Sequence, residues 1–310
     1  MQIIDTSLPK IVTYITFLLF ISLCEIVAQC DCPGNIPAPM ISISSGAVNN
    51  ARAMLDKNEL YISMSYRYIY GDLKFENDII QENNFKSNLS YNISNFSATY
   101  GIINRLNATI ELPFINTISK DYYSNKSSYN LSASLQAKYN IFSKDYDDEF
   151  ILYSGIKVPI IKSSIDTSGV SGIYNSSNTA FIGLLYNYLV TSNVNLILNL
   201  YKDFNFAGNN EIKQGDAFAG NLIIKYTNLF NFTPSLSFDF IYSEHNLFKK
   251  ENIYSSGYKS LFATASIFYS IPKLLTSAGV SFSYPIYRYY NGYQTSQDYI
   301  IQLSLGILFL

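Results

Sequence analysis

The feature that most constrains this chain is a long-range alternation of apolar and polar residues. From residue 59 to the C-terminus, segments of about 9–13 residues place an apolar side chain at every second position. Clear examples are 60–70, 106–114, 129–141 and 299–309. An amphipathic helix would repeat its apolar positions every 3.6 residues, whereas a period of two gives a strand with one apolar and one polar face. The chain is therefore predicted to be all-β.

The length of these segments indicates where the strands lie. Strands of soluble sandwiches are usually about five or six residues long, whereas a tilted strand needs about 9–11 residues to cross a bilayer. Beyond residue 40 the sequence has no run of 18 apolar residues that could form a membrane helix. Only a closed barrel then satisfies every backbone polar group in lipid. A soluble sandwich or lectin-like domain, which also alternates, is the alternative.

The number and spacing of the segments refine the predicted fold. About twelve strands can be counted, an even number as in single-chain outer-membrane barrels, and their connections alternate between short turns and long external loops, such as 71–85 and 288–297. We predict a transmembrane antiparallel up-and-down β-barrel over 59–310 in the bacterial outer membrane, in contact with outer-membrane lipid and inserted by the barrel-assembly machinery. In one segment the apolar phase changes near Asn95, after Leu89, Tyr91 and Ile93, which predicts a β-bulge.

The few charged residues follow the same pattern. They make up 14% of the chain, against about 25% in an average soluble protein. Within the strand cores they fall on the polar face, as lumen-lining charges: Arg67, Glu111, Lys138, Lys157, Lys225 and Asp239. An Arg or Lys that faced lipid at the midplane would cost about 2–4 kcal/mol. In a lumen such charges can contact a solute or form ion pairs that brace the wall, and the sequence leaves both open. Because the net charge is −2 and the sequence has no basic cluster, it offers no positively charged surface of the kind that binds nucleic acid.

The N-terminal residues have the pattern of an export signal. Lys10 precedes an uncharged run over 11–24, which has the length of a secretory hydrophobic region and is too short for a spanning helix. We predict a signal peptide over 1–28, with a membrane anchor as the alternative. A proline-containing segment over 29–58 then lies in the periplasm or plugs the lumen.

The sequence gives little support for a metal site or for an enzyme active site. Cys30 and Cys32 are weak candidates for a soft metal such as Cu(I), but an oxidised or unconstrained pair is the simpler interpretation. No cofactor motif is found. A hydrolase would need a nucleophilic serine beside a histidine, and the single histidine, His245, falls in a predicted surface loop. We therefore predict no cofactor and no enzymatic activity.

Three stretches resemble a known family. The segments 100–106 and 112–114, the segment 155–159, and the segment 283–287 followed by Asn291 and Gly292 resemble hallmarks of the outer-membrane transporter family named for the meta-pathway of phenol degradation. The resemblance covers roughly 59–310. It implies a barrel with a proposed role in uptake of small, often hydrophobic compounds, and it implies no catalytic residues.

The functional expectation follows from the lumen and from this resemblance. We expect a passive channel or transporter that lets an unidentified small solute pass through a polar lumen, lined by Ser, Asn and Thr side chains and the six charges. The alternative is a structural or adhesive barrel whose external loops bind a partner.

Overall fold

The computed structural model describes residues 54–84, 86–120, 125–144, 148–161, 178–207, 212–227 and 229–310. The predicted signal peptide, the candidate metal ligands Cys30 and Cys32, and the part of the predicted periplasmic or plug segment before Met54 lie outside these ranges. Within them, no helix is long and apolar enough to cross a membrane.

Twelve long strands form one antiparallel barrel. They are β1 Leu60–Gly71, β2 Asn88–Ile103, β3 Leu106–Lys120, β4 Asn125–Lys144, β5 Asp148–Ile161, β6 Thr179–Thr191, β7 Val194–Asn205, β8 Ala217–Tyr226, β9 Phe232–Ser243, β10 Tyr258–Ile271, β11 Thr276–Thr295 and β12 Tyr299–Phe309. Each strand pairs with the next one in the chain. The barrel closes between β1 and β12, where Leu60 lies opposite Phe309 and Tyr70 lies opposite Tyr299. The predicted all-β, up-and-down architecture of twelve strands is confirmed.

The two faces of the wall differ as the alternation predicts. In β1, Ser63, Ser65 and Arg67 are buried inside the barrel. On the outer face, Ile110 and Ile156 are 53% and 54% exposed. Soluble proteins rarely leave so many large apolar side chains uncovered, but on a transmembrane barrel lipid covers them.

The predicted β-bulge at Asn95 is wrong. β2 keeps an unbroken register with β1 from Leu89 to Tyr100, and its inward face continues through Tyr91, Ile93 and Asn95. The apparent change of phase arises because three apolar side chains of this strand point into the barrel. Their inward orientation is tolerated because they find apolar partners there.

Those partners form an apolar cluster inside the barrel. It comprises Ile69, Phe75, Leu89, Tyr91, Ile93, Ile115, Tyr153, Phe181, Tyr201, Ala219, Ile241, Tyr258, Phe262, Tyr290 and Ile300. A barrel of twelve strands is narrow enough for inward side chains from different strands to meet. The interior therefore combines polar residues with a packed apolar core, rather than the uniformly polar lining that the sequence suggested.

The two ends of the barrel differ in their connections. At one end, which we call the short-turn end, the strands are joined by tight turns such as 104–105 and 192–193. At the other, the long-loop end, the hairpin Lys74–Asn77 and Ile79–Gln81 pairs with β11, and Ile212–Lys213, Leu247–Phe248 and Glu251–Asn252 form a small separate sheet. In outer-membrane barrels the longer loops lie outside the cell.

One predicted long loop is mostly strand. The segment 288–297 was expected to be an external loop, but β11 runs on to Thr295 and only 296–298 connect it to β12. β11 extends this far because its last residues, Tyr293, Gln294 and Thr295, pair with the hairpin strand Lys74–Asn77. The connection is thereby held against the end of β1.

Candidate functional site

A cavity of about 120 Å³ lies inside the barrel against β1 and β7–β12. Its polar lining includes Arg67, Asn221, Lys225, Asp239, Thr264, Ser283 and Gln302. These seven residues lie on six strands, and all of them project inward because their strands keep a strict alternation between the two faces. Three of the six predicted lumen charges, Arg67, Lys225 and Asp239, therefore come together around one cavity.

Arg67 is fixed by its neighbour across the strand pair. Arg67 and Gln302 are register partners of β1 and β12. The guanidinium donates from both Nε and Nη2 to Oε1 of Gln302, each at 3.0 Å. Its charge also attracts the carboxylate of Asp239, which lines the same cavity. The cation is thus held in a defined position at the cavity wall.

Asp239 is surrounded by hydroxyl groups. Its Oδ2 accepts hydrogen bonds from Thr264 Oγ1 at 2.7 Å and from Ser237 Oγ at 3.1 Å. Thr264 Oγ1 also lies 2.8 Å from Ser283 Oγ, which extends the polar chain to β11. Asn221, only 3% exposed, has an Oδ1 atom without a hydrogen-bond partner among the described residues. A buried acceptor of this kind is satisfied when the cavity holds a molecule with a donor group.

The other three predicted charges lie on a different part of the wall. Glu111 attracts both Lys138 and Lys157, and Lys157 also interacts with the carboxylate of Asp203. We call these four residues the brace. Beside them, the Tyr153 hydroxyl donates to Asn199 Oδ1 at 2.7 Å. The brace joins β3, β4, β5 and β7 with two charges of each sign, an arrangement that fits wall stabilisation.

A further charged group lies at the long-loop end of the barrel. Arg288 Nη1 donates to Asp298 Oδ1 at 2.5 Å and to Ser296 Oγ at 3.0 Å. The other oxygen of Asp298 accepts from the backbone N–H groups of Asp72 at 2.7 Å and Leu73 at 3.1 Å. We call these five residues the clasp. It ties the start of the loop after β1 to the connection between β11 and β12.

The clasp depends on a close approach of two backbones. A Cβ atom on Gly71 would lie 1.7 Å from the carbonyl oxygen of Ser296, so only glycine fits at this position. Asp298 comes two residues before Ile300, which lines the cavity, and at about 3.4 Å per residue this places the clasp about 7 Å from the nearest part of the cavity wall. Ile300 and its register partner Ile69 belong to the apolar cluster.

Two carboxyl groups meet at the clasp. Burial raises the pKa of Asp72, and the nearby Asp298 carboxylate raises it further. A raised pKa means that the closed clasp favours the protonated, neutral form of Asp72. The charge on Asp72 therefore weakens the clasp as the pH rises through its pKa, whereas Asp298 stabilises it through Arg288.

The sequence did not predict the residues that complete the brace and the clasp, which are Asp203, Arg288 and Asp298. Asp203 was visible on the polar face of β7 but stands close to the end of its strand. Arg288 and Asp298 fell in or beside a segment predicted to be an external loop. The signal that could have extended β11 this far is the continued period of two at Arg288, Tyr290, Gly292 and Gln294, all of which are buried in the structure.

A glycine shapes one side of the cavity. Phe268 of β10 lines it, and its ring lies across Gly279, its register partner on β11. A Cβ atom on Gly279 would lie 2.0 Å from Cδ1 of Phe268. Small residues of this kind allow an aromatic ring to lie flat on the inner wall of a sheet.

We predict that Gly279→Ala reduces solute entry several-fold, because the added methyl displaces the Phe268 ring and narrows the cavity without changing its charge. Liposome-swelling rates of the reconstituted protein measure the effect. Ala278→Val serves as the control, since Ala278 is exposed on the outer face. Equal swelling rates for Gly279→Ala and wild type would show that this ring does not limit entry.

His245 lies apart from this cavity, at the long-loop end. Its Nδ1 is 3.2 Å from the carbonyl oxygen of Ile253, so the ring holds a loop in place. Among the residues that the structure describes, no cluster of three or more His, Cys, Asp or Glu side chains could hold a metal ion.

Comparisons with known proteins identify the fold. No family model matches the chain, and no curated protein matches its sequence. An outer-membrane channel from Pseudomonas putida F1 is similar in structure, with a TM-score of 0.68 and 12% identity over 83% of this chain and 97% of that one. The translocator domain of the autotransporter NalP from Neisseria meningitidis has a TM-score of 0.52 and 9% identity over 87% and 95% of the two chains. These likenesses confirm the predicted fold class, a transmembrane β-barrel of the outer-membrane type.

Proposed function

We propose that this barrel is an outer-membrane channel or transporter that lets a small solute pass by diffusion. The cavity is the site where the solute binds during its passage. The observation that carries the proposal is the cavity itself, which lies within a closed barrel and gathers Arg67, Lys225 and Asp239 from separate strands. Charges that only stabilise the wall, as we infer for the brace, need no open space between them, whereas these three line a cavity.

Two likenesses support the same function. The Pseudomonas putida protein, which shares the fold along nearly all of its own length, is described as an outer-membrane channel. The motifs at 100–114, 155–159 and 283–292 resemble the meta-pathway transporter family, and we propose that the chain is a distant member of it. Outer-membrane lipid and the barrel-assembly machinery are its proposed partners, and no nucleic acid is among them.

We propose that the passage of the solute through the barrel is restricted at two places, one at each end. At the long-loop end the solute would pass the clasp. At the short-turn end it would meet the chain before β1, where Met54 is buried and the Asn107 amide accepts from the backbone N–H of Leu55 at 2.7 Å. We propose that residues 29–58, left by removal of a signal peptide over 1–28, act at this end as a periplasmic or plug segment.

Reconstitution tests the proposed function. Purified protein in liposomes is expected to admit small solutes, and in planar bilayers it is expected to give discrete conductance steps. A variant lacking residues 29–53 is expected to conduct more if that segment obstructs the short-turn end. A folded barrel that neither conducts nor admits any solute, with or without those residues, would contradict the proposal.

One observation favours the structural or adhesive alternative. Most inward side chains are buried, so the resting barrel is largely filled, and the small sheet Ile212–Lys213, Leu247–Phe248 and Glu251–Asn252 gives the long-loop end a defined surface. Deleting 247–252 separates the two functions. Partner binding is lost under the adhesive function, whereas permeability stays largely unchanged under the channel function.

A further inference from the structure

We propose that the outer face of the barrel binds a phosphorylated glycolipid of the outer leaflet in a pocket beside Lys259. The pocket has a volume of about 360 Å³, lies at the long-loop end and shares no lining residue with the internal cavity. We call it the rim pocket. The inference goes beyond the channel function, because it concerns the lipid that surrounds the barrel and not the solute that passes through it.

The wall side of the rim pocket is formed by three neighbouring strands. Tyr242 of β9, Lys259 of β10 and Tyr289 of β11 lie side by side in register. They point outward, since the next residue along each strand faces the interior, as the buried Tyr258 does beside Lys259. Nζ of Lys259 is 5.6 Å from the centre of the Tyr242 ring and 5.7 Å from that of Tyr289. These cation–π contacts hold the ammonium between two rings at the membrane-facing surface.

The outer face carries its cations at this end. The exposed lysines of the long strands are Lys120 at the end of β3, Lys202 near the end of β7 and Lys259 at the start of β10. Among the strand residues whose side chains the structure describes, the only outward carboxylate is Asp148, at the short-turn end. Cations at a membrane surface attract anionic lipid head groups. Because long loops lie outside the cell, the placement of these charges favours an anionic lipid of the outer leaflet.

Apolar side chains continue the surface from Lys259 towards the middle of the membrane. Leu261 and Tyr287 are the next outward residues of β10 and β11 and are register partners, and Tyr287 is 48% exposed. Phe218 of β8, in register with Tyr242, is 39% exposed. Surface of this kind contacts acyl chains. Lys259 thus lies where a lipid changes from head group to chain, a position that a free phosphate ion would not require.

The loop side of the rim pocket suits a saccharide. Its polar lining consists of Lys213, Gln214, Asp216, Glu244, Asn252 and Asn291. Asp216 is paired with Lys213 at 3.1 Å, and Glu244 is exposed. Carboxylates repel a phosphate but accept hydrogen bonds from hydroxyl groups, and amides both donate and accept them. We therefore place the phosphate at Lys259 and the hydroxyl-bearing sugar ring of the head group against the loops.

The loop side is already ordered. The backbone N–H of Glu244 donates to the carbonyl oxygen of Asp216 at 2.9 Å, and that of Gly215 donates to Asn246 Oδ1 at 2.9 Å. A Cβ atom on Gly215 would lie 2.0 Å from the carbonyl oxygen of Glu244, so the two loops approach as closely as their backbones allow. A lipid that binds here need not pay to order these loops.

Native mass spectrometry of the purified barrel in neutral detergent tests the inference with matched lipids. Lipid A, a glycolipid whose glucosamine head group carries phosphate, is expected to bind at least tenfold more tightly than galactosyl diacylglycerol, which has a sugar and no phosphate. It is expected to bind several-fold more tightly than phosphatidic acid, which has a phosphate and no sugar. Equal affinity for lipid A and for either of these lipids overturns the inference. Displacement of lipid A by an equal concentration of inorganic phosphate also overturns it.

Variants assign the effect to the rim pocket. Lys259→Gln is expected to weaken lipid A binding at least tenfold, and Lys259→Arg is expected to retain it. Lys273→Gln is the matched control, because Lys273 is an exposed lysine between the same two strands, β10 and β11, at the short-turn end. Lys259→Met is a second variant if Lys259→Gln does not fold. Lipid A affinity that is unchanged in the folded Lys259 variants, or that falls equally in Lys273→Gln, overturns the assignment.

Discussion

Glu111→Ala is expected to lower the free energy of unfolding by about 3–5 kcal/mol, the cost of removing one partner from a buried ion pair. Glu111 is 6% exposed, and its carboxylate attracts both Lys138 and Lys157. Without it, Lys138 loses the attraction of this carboxylate and Lys157 keeps that of Asp203. Urea unfolding of the barrel reconstituted in lipid vesicles measures the loss.

Two further variants test the physical reason for this loss. Glu111→Gln combined with Lys138→Met removes one charge of each sign, and we expect it to recover much of the stability lost in Glu111→Ala. Lys213→Ala breaks the partly exposed pair with Asp216, whose atoms are 3.1 Å apart, and is expected to cost under about 1 kcal/mol. A loss below about 1 kcal/mol for Glu111→Ala would show that the brace does not stabilise the wall.

Asp298→Ala is expected to open the long-loop end and to raise the conductance of the channel several-fold. The substitution removes the partner of Arg288 and the acceptor of the N–H groups of Asp72 and Leu73 in one step. A buried Arg288 without its carboxylate disfavours the closed arrangement. Single-channel recordings measure the conductance, and protease cleavage within 72–87 on intact cells reports release of the loop.

Asp72→Asn is the matched control, because it also removes one carboxylate from the same loop. Its effect is expected to have the opposite sign and to be small. The pKa of Asp72 is raised by burial and by Asp298, so the neutral side chain suits the closed clasp better than the charged one. If Asp298→Ala and Asp72→Asn gave the same conductance and the same resistance to protease, the clasp would not control the mouth of the barrel.

The positions of the six charges show which features of the candidate site could be predicted from the sequence. Alternation predicted that Arg67, Glu111, Lys138, Lys157, Lys225 and Asp239 share the inner face, because a period of two fixes the face of every residue once the strand is known. It gave no information on which of them meet. That depends on the order and stagger of twelve strands around a closed wall, and only the structure divides them between cavity and brace.

The error at Asn95 has the same origin. A change from apolar to polar residues along one face was interpreted as a change of face. In the structure the strand is regular, and Leu89, Tyr91 and Ile93 pack against inward residues of other strands, such as Ile69 and Ile115. Whether an inward apolar residue finds such partners is decided by contacts between residues distant in the chain, which no local pattern records.

The sequence by itself determined the all-β class, the twelve strands and the face on which the six charges of the strand cores lie, because these depend on local periodicity and on the cost of placing a charge in lipid. The tertiary structure alone decided that Arg67, Lys225 and Asp239 surround a cavity, that apolar residues fill part of the interior, and that Arg288 and Asp298 clasp one end. The physical reason is that closure of the barrel brings together side chains separated by more than 200 residues, as in the pair Arg67 and Gln302.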